Sequence, residues 1–482
     1  MSWPRAALFS LSDRSGAAEF AAALAAHGTR IVASGGTARH LAAAGVPVTA
    51  LEEWTGFGEL LGGRVKTLHP HVHAPILARR DVPGDLAELA ARGLSPVDLV
   101  AVTLYPFEAR AAALDDAGLV EEIDVGGVAL LRGAAKNHAA VIVLHDPAQY
   151  AGALAALEVG GPTAAQRREW AQGAFARTAR YDAAIAAELE RRAAGEEDAA
   201  PALHVVALER LRALRYGENP HQAAALYVRA GTAAAVEARH EGRELSYNNL
   251  VDLEAAVTLA GRFAAPAVVI VKHGQPCGAA VAATPAEAWV AALAADEQSA
   301  FGGIVACNRA LDGATAAQVA ERFVECVAAP DFDAAALAVL ATKRNLRVVR
   351  LDARAVAAPE AWSVRCVGPW ALLSRDGGAP APPWRTVTRR APSAGEEEAL
   401  RFAWEVVAAA RSNAIVLARG TTLVGLGSGQ TSRVDAVDVA VMKAKRAGHD
   451  PRGTVLASDG FFPFADNVEH AAEAGVTAVV QP

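Results

Sequence analysis

Short apolar runs alternate with helical patterns along most of this chain, and this alternation constrains the fold more than any other feature. Each run suits one strand, and each helical segment is long enough to return the chain to a neighbouring parallel strand. In the first 195 residues the predicted strands are 6–10, 30–33, 98–104 and 140–144, and the predicted helices are 17–26, 37–44 and 163–192. This order predicts an α/β fold with a parallel sheet covered by helices.

The alternation pauses and then resumes near residue 203. Residues 195–201 (GEEDAAP) are charged and end in proline, which is typical of a linker. We therefore predict a first domain over residues 1–195, a linker over 196–202 and a second domain over 203–482, itself divided near the Pro- and Gly-rich stretch 375–393. In the second domain the predicted helices are 250–263, 314–328, 396–410 and 436–446, and the predicted strands are 267–271, 347–351, 414–418, 423–426 and 455–457.

The composition excludes several classes of protein. With 52% hydrophobic and 21% charged residues the chain is globular rather than disordered. A net charge of −7 argues against a nucleic-acid partner, and apolar runs no longer than a strand argue against a membrane one. Residues 1–12 lack the apolar core of a secretory signal, and the four cysteines are widely spaced. These features indicate a reducing cytoplasm.

Lysine is scarce in this chain. Only six of the 46 cations are lysines, a skew that the codon bias of a GC-rich genome explains wherever any surface cation suffices. A retained lysine can therefore mark a position that needs a compact ammonium. The six are Lys66, Lys136, Lys272, Lys343, Lys443 and Lys445. The first three lie in the motifs described below, whereas ordinary surface placement is sufficient for the other three.

Two glycine- and serine-rich strings near the N-terminus each follow a predicted strand and open a helix. They are SLSDRSG (10–16) and ASGGT (33–37). Small residues let backbone amides approach a ligand, and a helix N-terminus favours an anion. Two such strings on successive strand–helix units predict an anion site at one sheet edge. Ordinary N-caps and tight turns also explain them.

A dense polar cluster follows at GGRVKTLHPHVH (62–73). Histidines at i, i+2 allow a metal, but no carboxylate or cysteine lies at ligand spacing, so we favour an anion-binding or catalytic loop. Farther along, IDVGG and AKNH add the carboxylate of Asp124 and the ammonium of Lys136. A surface ion pair is the simpler interpretation of those two residues taken alone.

The string VKHGQPCG puts Lys272 and His273 at the C-terminal end of a predicted strand, where α/β sheets carry reactive groups. An ammonium beside an imidazole suits general acid–base chemistry. The PCG part resembles the PCxxC of zinc deaminases, but residue 280 is alanine and no HxE precedes it. The glycine-rich GLGSGQTSRVD (425–435) lacks the Lys-Ser/Thr of a nucleotide-triphosphate loop.

Taken in order, these strings resemble the bifunctional purine-biosynthesis family that joins AICAR formyltransferase to IMP cyclohydrolase. The collinear motifs span essentially the whole chain: LFSLSDRSG, VASGGT, LGGRVKTLHP, LYPF, IDVGGVALLRGAAKNH, RYGENPHQ, NNLVDLEAA, VKHGQPCG, SAFGGIVA, RSNAI, GSGQTSRVDA and LASDGFFPFAD. The resemblance implies a methylglyoxal-synthase-like cyclohydrolase domain, then a transformylase domain of two cytidine-deaminase-like α/β/α halves without catalytic zinc. It also implies a homodimer whose transformylase sites are built from both subunits.

For the first reaction, the resemblance implies formyl transfer from the co-substrate 10-formyltetrahydrofolate to the amine of AICAR. In the family's reaction His273 takes the amine proton. Lys272 orients His273 and stabilises the charge that develops at the formyl oxygen or the leaving nitrogen. The family positions that hold the phosphate match Arg215 and Tyr216, and those that contact substrate or folate match Asn249, Asn413 and Arg433. The positions that form the folate pocket match Phe461 and Asp466.

For the second reaction, the resemblance implies closure of FAICAR to IMP with loss of water and without a cofactor or metal. The catalytic positions match Lys66, Tyr105, Asp124 and Lys136, with Arg64 and Thr67 positioning the nucleotide. The phosphate cradle matches Ser10, Ser12, Arg14, Ser34, Gly35, Gly36 and Thr37.

This chain departs from the family pattern at three places. Thr103 stands where the family has asparagine before LYPF, and Gln275 replaces the asparagine of KHxNPCG. We also expect the chain, which ends at Pro482, to lack a further helix, strand and phosphate-binding arginine. A cyclohydrolase with impaired formyl transfer is therefore an alternative function. A non-catalytic nucleotide-binding regulator is a second.

Overall fold

The computed structural model describes residues 3–193, 200–229, 237–238, 244–352, 362–375 and 383–482. The chain divides into two compact units, Met1–Ala207 and Leu208–Pro482. Residues 196–199 of the predicted linker and 376–382 of the predicted subdomain break lie outside the described residues. The domain boundaries therefore stay predictions.

A five-stranded parallel sheet of order β3-β2-β1-β4-β5 forms the centre of the first unit. Its strands are β1 (Ala6–Leu11), β2 (Arg30–Ala33), β3 (Val48–Ala50), β4 (Leu99–Thr103) and β5 (Ile142–Leu144). The residues of β4 and β5 are all buried, as expected for parallel strands covered on both faces. The predicted α/β class and parallel sheet are confirmed here.

Helices cover both faces of this sheet and bury a separate apolar cluster against each. They are α1 (Ala17–Ala26), α2 (Gly35–Ala43), α3 (Leu51–Thr55), α4 (Pro70–Leu77), α5 (Pro83–Ala91), α6 (Phe107–Arg110), α7 (Asp116–Glu121), α8 (Gly126–Lys136), α9 (Tyr150–Glu158) and α10 (Ala164–Ala193). The N-termini of α1 and α2 directly follow β1 and β2, so both helices begin at the carboxyl edge of the sheet.

The second unit is built on a ten-stranded mixed sheet of order β19-β18-β16-β17-β10-β9-β11-β12-β13-β8. Its strands are β8 (Glu237–Ala238), β9 (Ala267–Lys272), β10 (Gln275–Val281), β11 (Ile304–Cys307), β12 (Cys326–Ala329), β13 (Arg347–Arg350), β16 (Ile415–Arg419), β17 (Thr422–Gly427), β18 (Val455–Ser458) and β19 (Ala478–Val480). Two hairpins form separate two-stranded sheets: β6 (Leu208–Leu214) with β7 (Ala224–Arg229), and β14 (Trp362–Val367) with β15 (Trp370–Arg375).

The sheet is a repeat of two halves that meet where β10 pairs with β17. Both halves share the order helix, antiparallel hairpin, helix, strand, helix, strand; the first half has in addition a short helix after its second helix and a further helix and strand at its end. The helices are α11 (Tyr247–Gly261), α12 (Pro285–Ala295), α13 (Glu297–Ala300), α14 (Gly313–Ala320) and α15 (Ala334–Ala341) in the first half, and α16 (Ala394–Ala408), α17 (Arg433–Arg446) and α18 (Asp466–Glu473) in the second. One apolar cluster, with α11 and α16, spans one face of the sheet.

Glycines let a helix approach the central strands closely in both halves. A Cβ on Gly278 of β10 would lie 2.3 Å from the carbonyl oxygen of Ala292 in α12. A Cβ on Gly425 of β17 would lie 2.3 Å from the carbonyl oxygen of Ala440 in α17. The two halves therefore repeat in their packing as well as in the order of their elements.

One predicted helix was wrong. The segment 314–328 is rich in alanine and was predicted as a single helix, but α14 ends at Ala320 and residues 326–329 form β12. The reason is tertiary: β12 is fully buried between β11 and β13, where small apolar residues suit a central parallel strand. Helix propensity is a weak prior that such burial overrides.

Candidate functional site

Two cations converge on the N-terminus of α2 in the first unit. A Cβ built on Gly35 would lie 2.3 Å from Lys66 Nζ, and one on Gly36 would lie 2.8 Å from Arg14 Nη2. The missing side chains thus leave room for an ammonium and a guanidinium beside the first helical turn. Together with the partial positive charge of the helix end, they make this edge of the sheet suited to a phosphate.

Hydroxyl groups of the predicted cradle have different surroundings. Ser34 Oγ, at the N-cap of α2, lies 3.2 Å from Ser10 Oγ, and both belong to this edge. Thr37 is buried and accepts a hydrogen bond of 2.9 Å from the backbone N–H of Leu11. Thr37 therefore ties the end of β1 to α2, which is a structural task. Ser12 is partly buried on the loop after β1.

Thr103, a departure from the family pattern, braces that same loop. Its hydroxyl accepts a hydrogen bond of 2.9 Å from the N–H of Asp13 and donates one of 3.0 Å to the Asp13 carbonyl. The carbonyl of Thr103 also accepts from the N–H of Ser12 at 3.2 Å. The threonine therefore positions the loop that carries Ser12 and Arg14.

Asp124 and Tyr105 form a second part of the site. Burial raises the pKa of the Asp124 carboxyl, although backbone N–H groups of Gly127 and Tyr105 bond to it and oppose the shift. Burial, followed by the charge of Asp124, raises the pKa of the Tyr105 phenol. The buried Tyr181 hydroxyl accepts the Asp124 N–H at 2.9 Å. Asp124 and Tyr105 are therefore neighbours whose protonated forms are favoured.

Thr67 links these two parts. A Cβ on Gly126, at the start of α8, would lie 2.4 Å from Thr67 Oγ1, so the segment carrying Lys66 packs against the segment carrying Asp124. Lys66 also lies 3.4 Å from Glu59 Oε2. Arg64 is mainly exposed and pairs with Glu121.

Lys136 is not brought to this edge. It is the last of the 11 residues of α8, whereas Asp124 lies two residues before that helix begins. At 1.5 Å per residue, Lys136 lies about 16 Å along the helix axis from the start of α8. The exposed Lys136 is therefore at the opposite end of α8 from Asp124.

In the second unit, Lys272 and His273 lie on a tight hairpin turn between β9 and β10. Lys272 pairs with Gln275, and His273 and Gly274 between them both have positive φ, 54° and 69°. This is the geometry of a two-residue turn with left-handed residues at both central positions. Lys272 Nζ donates a hydrogen bond of 2.7 Å to the carbonyl of Gly302.

Asp252 of α11 holds this turn in place. Its buried carboxylate accepts the backbone N–H of Gly274 at 2.6 Å and that of His273 at 3.2 Å. Asp252 lies in the NNLVDLEAA motif but was not among the residues predicted for the site. Its role follows only from the packing of α11 beside the hairpin.

Replacing Asp252 with alanine is expected to lower the formyl transfer that the resemblance implies at least tenfold and to destabilise the second unit by about 1–3 kcal/mol, because two backbone donors lose a charged acceptor. The rate of FAICAR formation and the denaturation midpoint measure the two effects. Glu254→Ala, an exposed change on the same helix, is the control. Unchanged formyl transfer in Asp252→Ala would show that the turn keeps its shape without the carboxylate.

A cavity of about 280 Å³ opens beside the turn, between the central strands and the helices that cover them. Its lining residues are Lys272, His273, Gln275, Pro276, Cys277, Ala295, Asp296, Ser299, Leu423, Gly425, Leu426, Ser428, Gln430, Val439 and Lys443. Gln275, the second departure, reaches across the two halves, since its Oε1 accepts the Arg411 N–H at 2.9 Å. Gln275 therefore connects the turn to the RSNAI loop.

Asn413 contacts a residue that lines this cavity, and Arg433 belongs to a neighbouring set of polar contacts. Asn413 Nδ2 donates to the carbonyl of Gln430, a lining residue, at 3.0 Å. Arg433, at the start of α17, donates to Ser458 Oγ at 3.0 Å and pairs with Asp459. Asp459 in turn accepts the Ala414 N–H at 2.8 Å. These contacts join three motifs of the second half: RSNAI, GLGSGQTSRVD and LASDGFFPFAD.

The remaining predicted residues do not line this cavity. Asn249 is buried, and its amide donates to Glu325 Oε2 at 2.9 Å while its Oδ1 accepts the Ser246 N–H at 3.1 Å. Arg215 is exposed, with its guanidinium 5.6 Å from the centre of the Tyr216 ring.

Two residues predicted for the folate pocket lie on the segment that leads into α18. Phe461 is 65% exposed. Asp466, the first residue of α18, accepts hydrogen bonds of 2.7 Å from Asn467. Lys443, for which ordinary surface placement was expected, lines the cavity.

Among the described residues, no group of three or more His, Cys, Asp or Glu side chains is arranged to hold a metal ion. Within the same part of the chain, every helix is too short or too polar to cross a membrane.

Comparison with known proteins gives two family matches. A model described as "MGS-like domain" matches residues 16–129, and one described as "AICARFT/IMPCHase bienzyme" matches residues 134–443. The "Bifunctional purine biosynthesis protein PurH" of Chloroflexus aurantiacus is 50% identical, over 99% of this chain and 92% of that protein. The proteins of the same name from Cyanothece sp. and Thermosynechococcus vestitus are 47% and 48% identical, over 99% of this chain and 94% of each protein. These matches confirm the expectation from the motifs: the chain belongs to the family of AICAR formyltransferase/IMP cyclohydrolase bienzymes.

Proposed function

We propose that this chain catalyses the last two steps of IMP biosynthesis, with formyl transfer in the second unit and ring closure in the first. The observation that carries the proposal is the Lys272–His273 turn, which is held by Asp252 and lines a cavity at the centre of the sheet. Curated relatives matched over at least 92% of their length have the same bifunctional name. The cyclohydrolase-only alternative is therefore not favoured.

In formyl transfer, the 5-amino group of AICAR attacks the formyl carbon of 10-formyltetrahydrofolate. The amine is conjugated with the imidazole ring and is a weak nucleophile, so it needs positioning and a base. His273 takes the proton from the amine as the new C–N bond forms. Lys272 stabilises the developing oxyanion, after which the bond to folate N10 breaks and tetrahydrofolate leaves with a proton.

Substrate contacts outside the cavity complete this site. Arg215 and Tyr216 hold the nucleotide phosphate, and Asn249, Asn413 and Arg433 contact substrate or folate. Phe461 stacks on the pterin, which its exposed ring allows, and Asp466 accepts hydrogen bonds from pterin N–H groups. The proximity of Asn413 to the lining residue Gln430 supports its part in this assignment.

In ring closure, the carboxamide nitrogen of FAICAR attacks the formyl carbon and water leaves. Arg14, with the N-terminus of α2, binds the phosphate, assisted by Ser10, Ser12, Ser34, Gly35, Gly36 and Thr37. Lys66, whose ammonium lies beside Gly35, is one of the catalytic groups. Asp124 and Tyr105 exchange the protons; the raised pKa of the Asp124 carboxyl, which moves toward neutral pH, supports its part in this role. Arg64 and Thr67 position the nucleotide. The family pattern also assigns a catalytic role to Lys136, but its place at the far end of α8 does not support that role.

The purified chain tests the proposal directly. Supplied with AICAR and 10-formyltetrahydrofolate, it should form IMP, and supplied with FAICAR alone, it should also form IMP. Cyclisation of FAICAR without any product from AICAR would leave only the cyclohydrolase. Absence of both reactions would favour the non-catalytic regulator.

We also infer that the chain works as a homodimer in the cytoplasm. The β6–β7 and β14–β15 hairpins lie outside the main sheet and expose Leu208, Leu211, Trp370 and Leu372, which suits a subunit contact. All four cysteines are free thiols, which fits a reducing compartment.

If transformylase sites are shared between subunits, formyl transfer per chain should fall on dilution while cyclisation per chain stays constant. Because dissociation removes partner residues from the shared site, the fall should follow the loss of dimer seen by sedimentation. Formyl transfer that stays constant per chain at concentrations where monomers dominate would contradict shared sites.

A further inference from the structure

Lys443 forms a partly buried ion pair beside the catalytic turn, the turn that carries Lys272 and His273. It lies on α17 and donates to Asp296 Oδ2 at 2.6 Å and to Ser299 Oγ at 3.0 Å. Asp296 has a side chain only 16% exposed, and Lys443 lies 147 residues away from it in sequence. The contact therefore joins the second half of the sheet to the loop that follows α12 in the first half.

Asp296 and Ser299 belong to the cap of the short helix α13. Asp296 Oδ1 accepts the N–H of Ser299 at 3.0 Å, and its Oδ2 accepts the Ser299 hydroxyl at 2.7 Å. The pairing with Lys443 completes the partners of this carboxylate. The ion pair therefore fixes where α13 begins.

The other end of α13 leads to the catalytic lysine. The helix ends at Ala300, and two residues later the carbonyl of Gly302 accepts the Lys272 Nζ hydrogen bond at 2.7 Å. Gly302 approaches so closely that a Cβ there would lie 3.1 Å from Lys272 Nζ. A shift of α13 is therefore transmitted to the acceptor that orients Lys272.

Cys277 shows that these groups share one electrostatic environment. Burial raises the pKa of its thiol to about 12, the charge of Asp296 adds to the rise, and the charges of Lys443 and Lys272 oppose it. Since Cys277, Asp296, Lys443 and Lys272 all line the same cavity, a change in charge at Lys443 is felt at the catalytic turn.

We propose that Lys443 is a positioning residue for formyl transfer, acting through Asp296, Ser299 and the carbonyl of Gly302 on the Lys272 ammonium. The inference rests on the proposed function of the second unit. It also separates Lys443 from Lys445, which lies on the same helix but is exposed.

Lys443→Met in the full-length chain tests this role, with Lys445→Met as the matched control. Removing the ammonium leaves Asp296 without its cation and frees α13, so kcat for formyl transfer should fall about 10- to 100-fold, as expected for a misplaced catalytic group. KM for AICAR and for the folate should stay within twofold. FAICAR cyclisation by the same preparation should be unchanged, and so should both activities of Lys445→Met.

Two further variants distinguish positioning from a general loss of structure. Lys443→Arg keeps a cation for Asp296 and should recover most of kcat. Asp296→Asn should lower kcat like Lys443→Met, and the double variant should be no worse than either single one because both break the same contact.

Three outcomes would overturn the inference. A kcat for Lys443→Met within twofold of the unaltered chain would remove the positioning role while leaving the proposed function intact. A raised KM with unchanged kcat would make Lys443 a substrate contact instead. An unaltered chain without formyl transfer would refute the proposed function itself, and this role with it.

Discussion

Replacing His273 with asparagine is expected to abolish formyl transfer while FAICAR is still closed to IMP at a near-normal rate. Loss of a general base typically costs about 10²- to 10⁴-fold in rate. Asparagine is chosen because His273 has a φ of 54°, a left-handed conformation that asparagine adopts more readily than alanine. The variant therefore removes the imidazole and keeps the turn. Formation of FAICAR from AICAR and of IMP from FAICAR are measured on the same preparation.

The control for this variant is His470→Asn, which removes an exposed imidazole that pairs with Asp438 on the surface of the same unit. Both activities should survive it. The selectivity follows from the division of the chain into two compact units, with His273 in one and the cyclohydrolase residues in the other. Comparable loss of both reactions in His273→Asn would mean that the two sites are not independent.

Much of the fold could be predicted because local periodicity and burial agree. Helix α1 and strand β2 lie where apolar spacing predicts them, at 17–26 and 30–33. The prediction fails at β12, where the alanine-rich pattern suits a helix but the position between two neighbouring strands requires extended chain. It also misses β10, because Gln275 and Pro276 indicate a turn until the pairing with β9 is known.

In the candidate site, too, some residues could be predicted from the sequence and others could not. Lys272 and His273 could be found from the sequence because they end a strand beside a glycine. Asp252 and Lys443 could not, since each acts through a contact with a distant segment: Asp252 with a turn 21 and 22 residues away, and Lys443 with a carboxylate 147 residues away. The spacing of residues along the chain does not predict such contacts, because they depend on how the helices pack on the sheet.

Replacing Lys66 with methionine is expected to give the reverse phenotype of His273→Asn: FAICAR is formed from AICAR but accumulates. Lys66 Nζ lies against Gly35 at the start of α2, where its charge adds to that of Arg14 and of the helix end. Removing a positioned charge from such a site typically costs about 10²- to 10³-fold. Methionine preserves the length of the aliphatic chain, so the expected loss comes from the ammonium rather than from packing.

The rate of IMP formation from supplied FAICAR measures the loss, and the rate of FAICAR formation shows that the second unit is intact. Arg92→Met is the matched control in the first unit, because Arg92 pairs only at the surface with Glu88, at 3.2 Å; such exposed pairs contribute little. Cyclisation by Lys66→Met within threefold of the unaltered chain would exclude a catalytic ammonium at this edge. The phosphate would then be bound by Arg14 and the start of α2 alone.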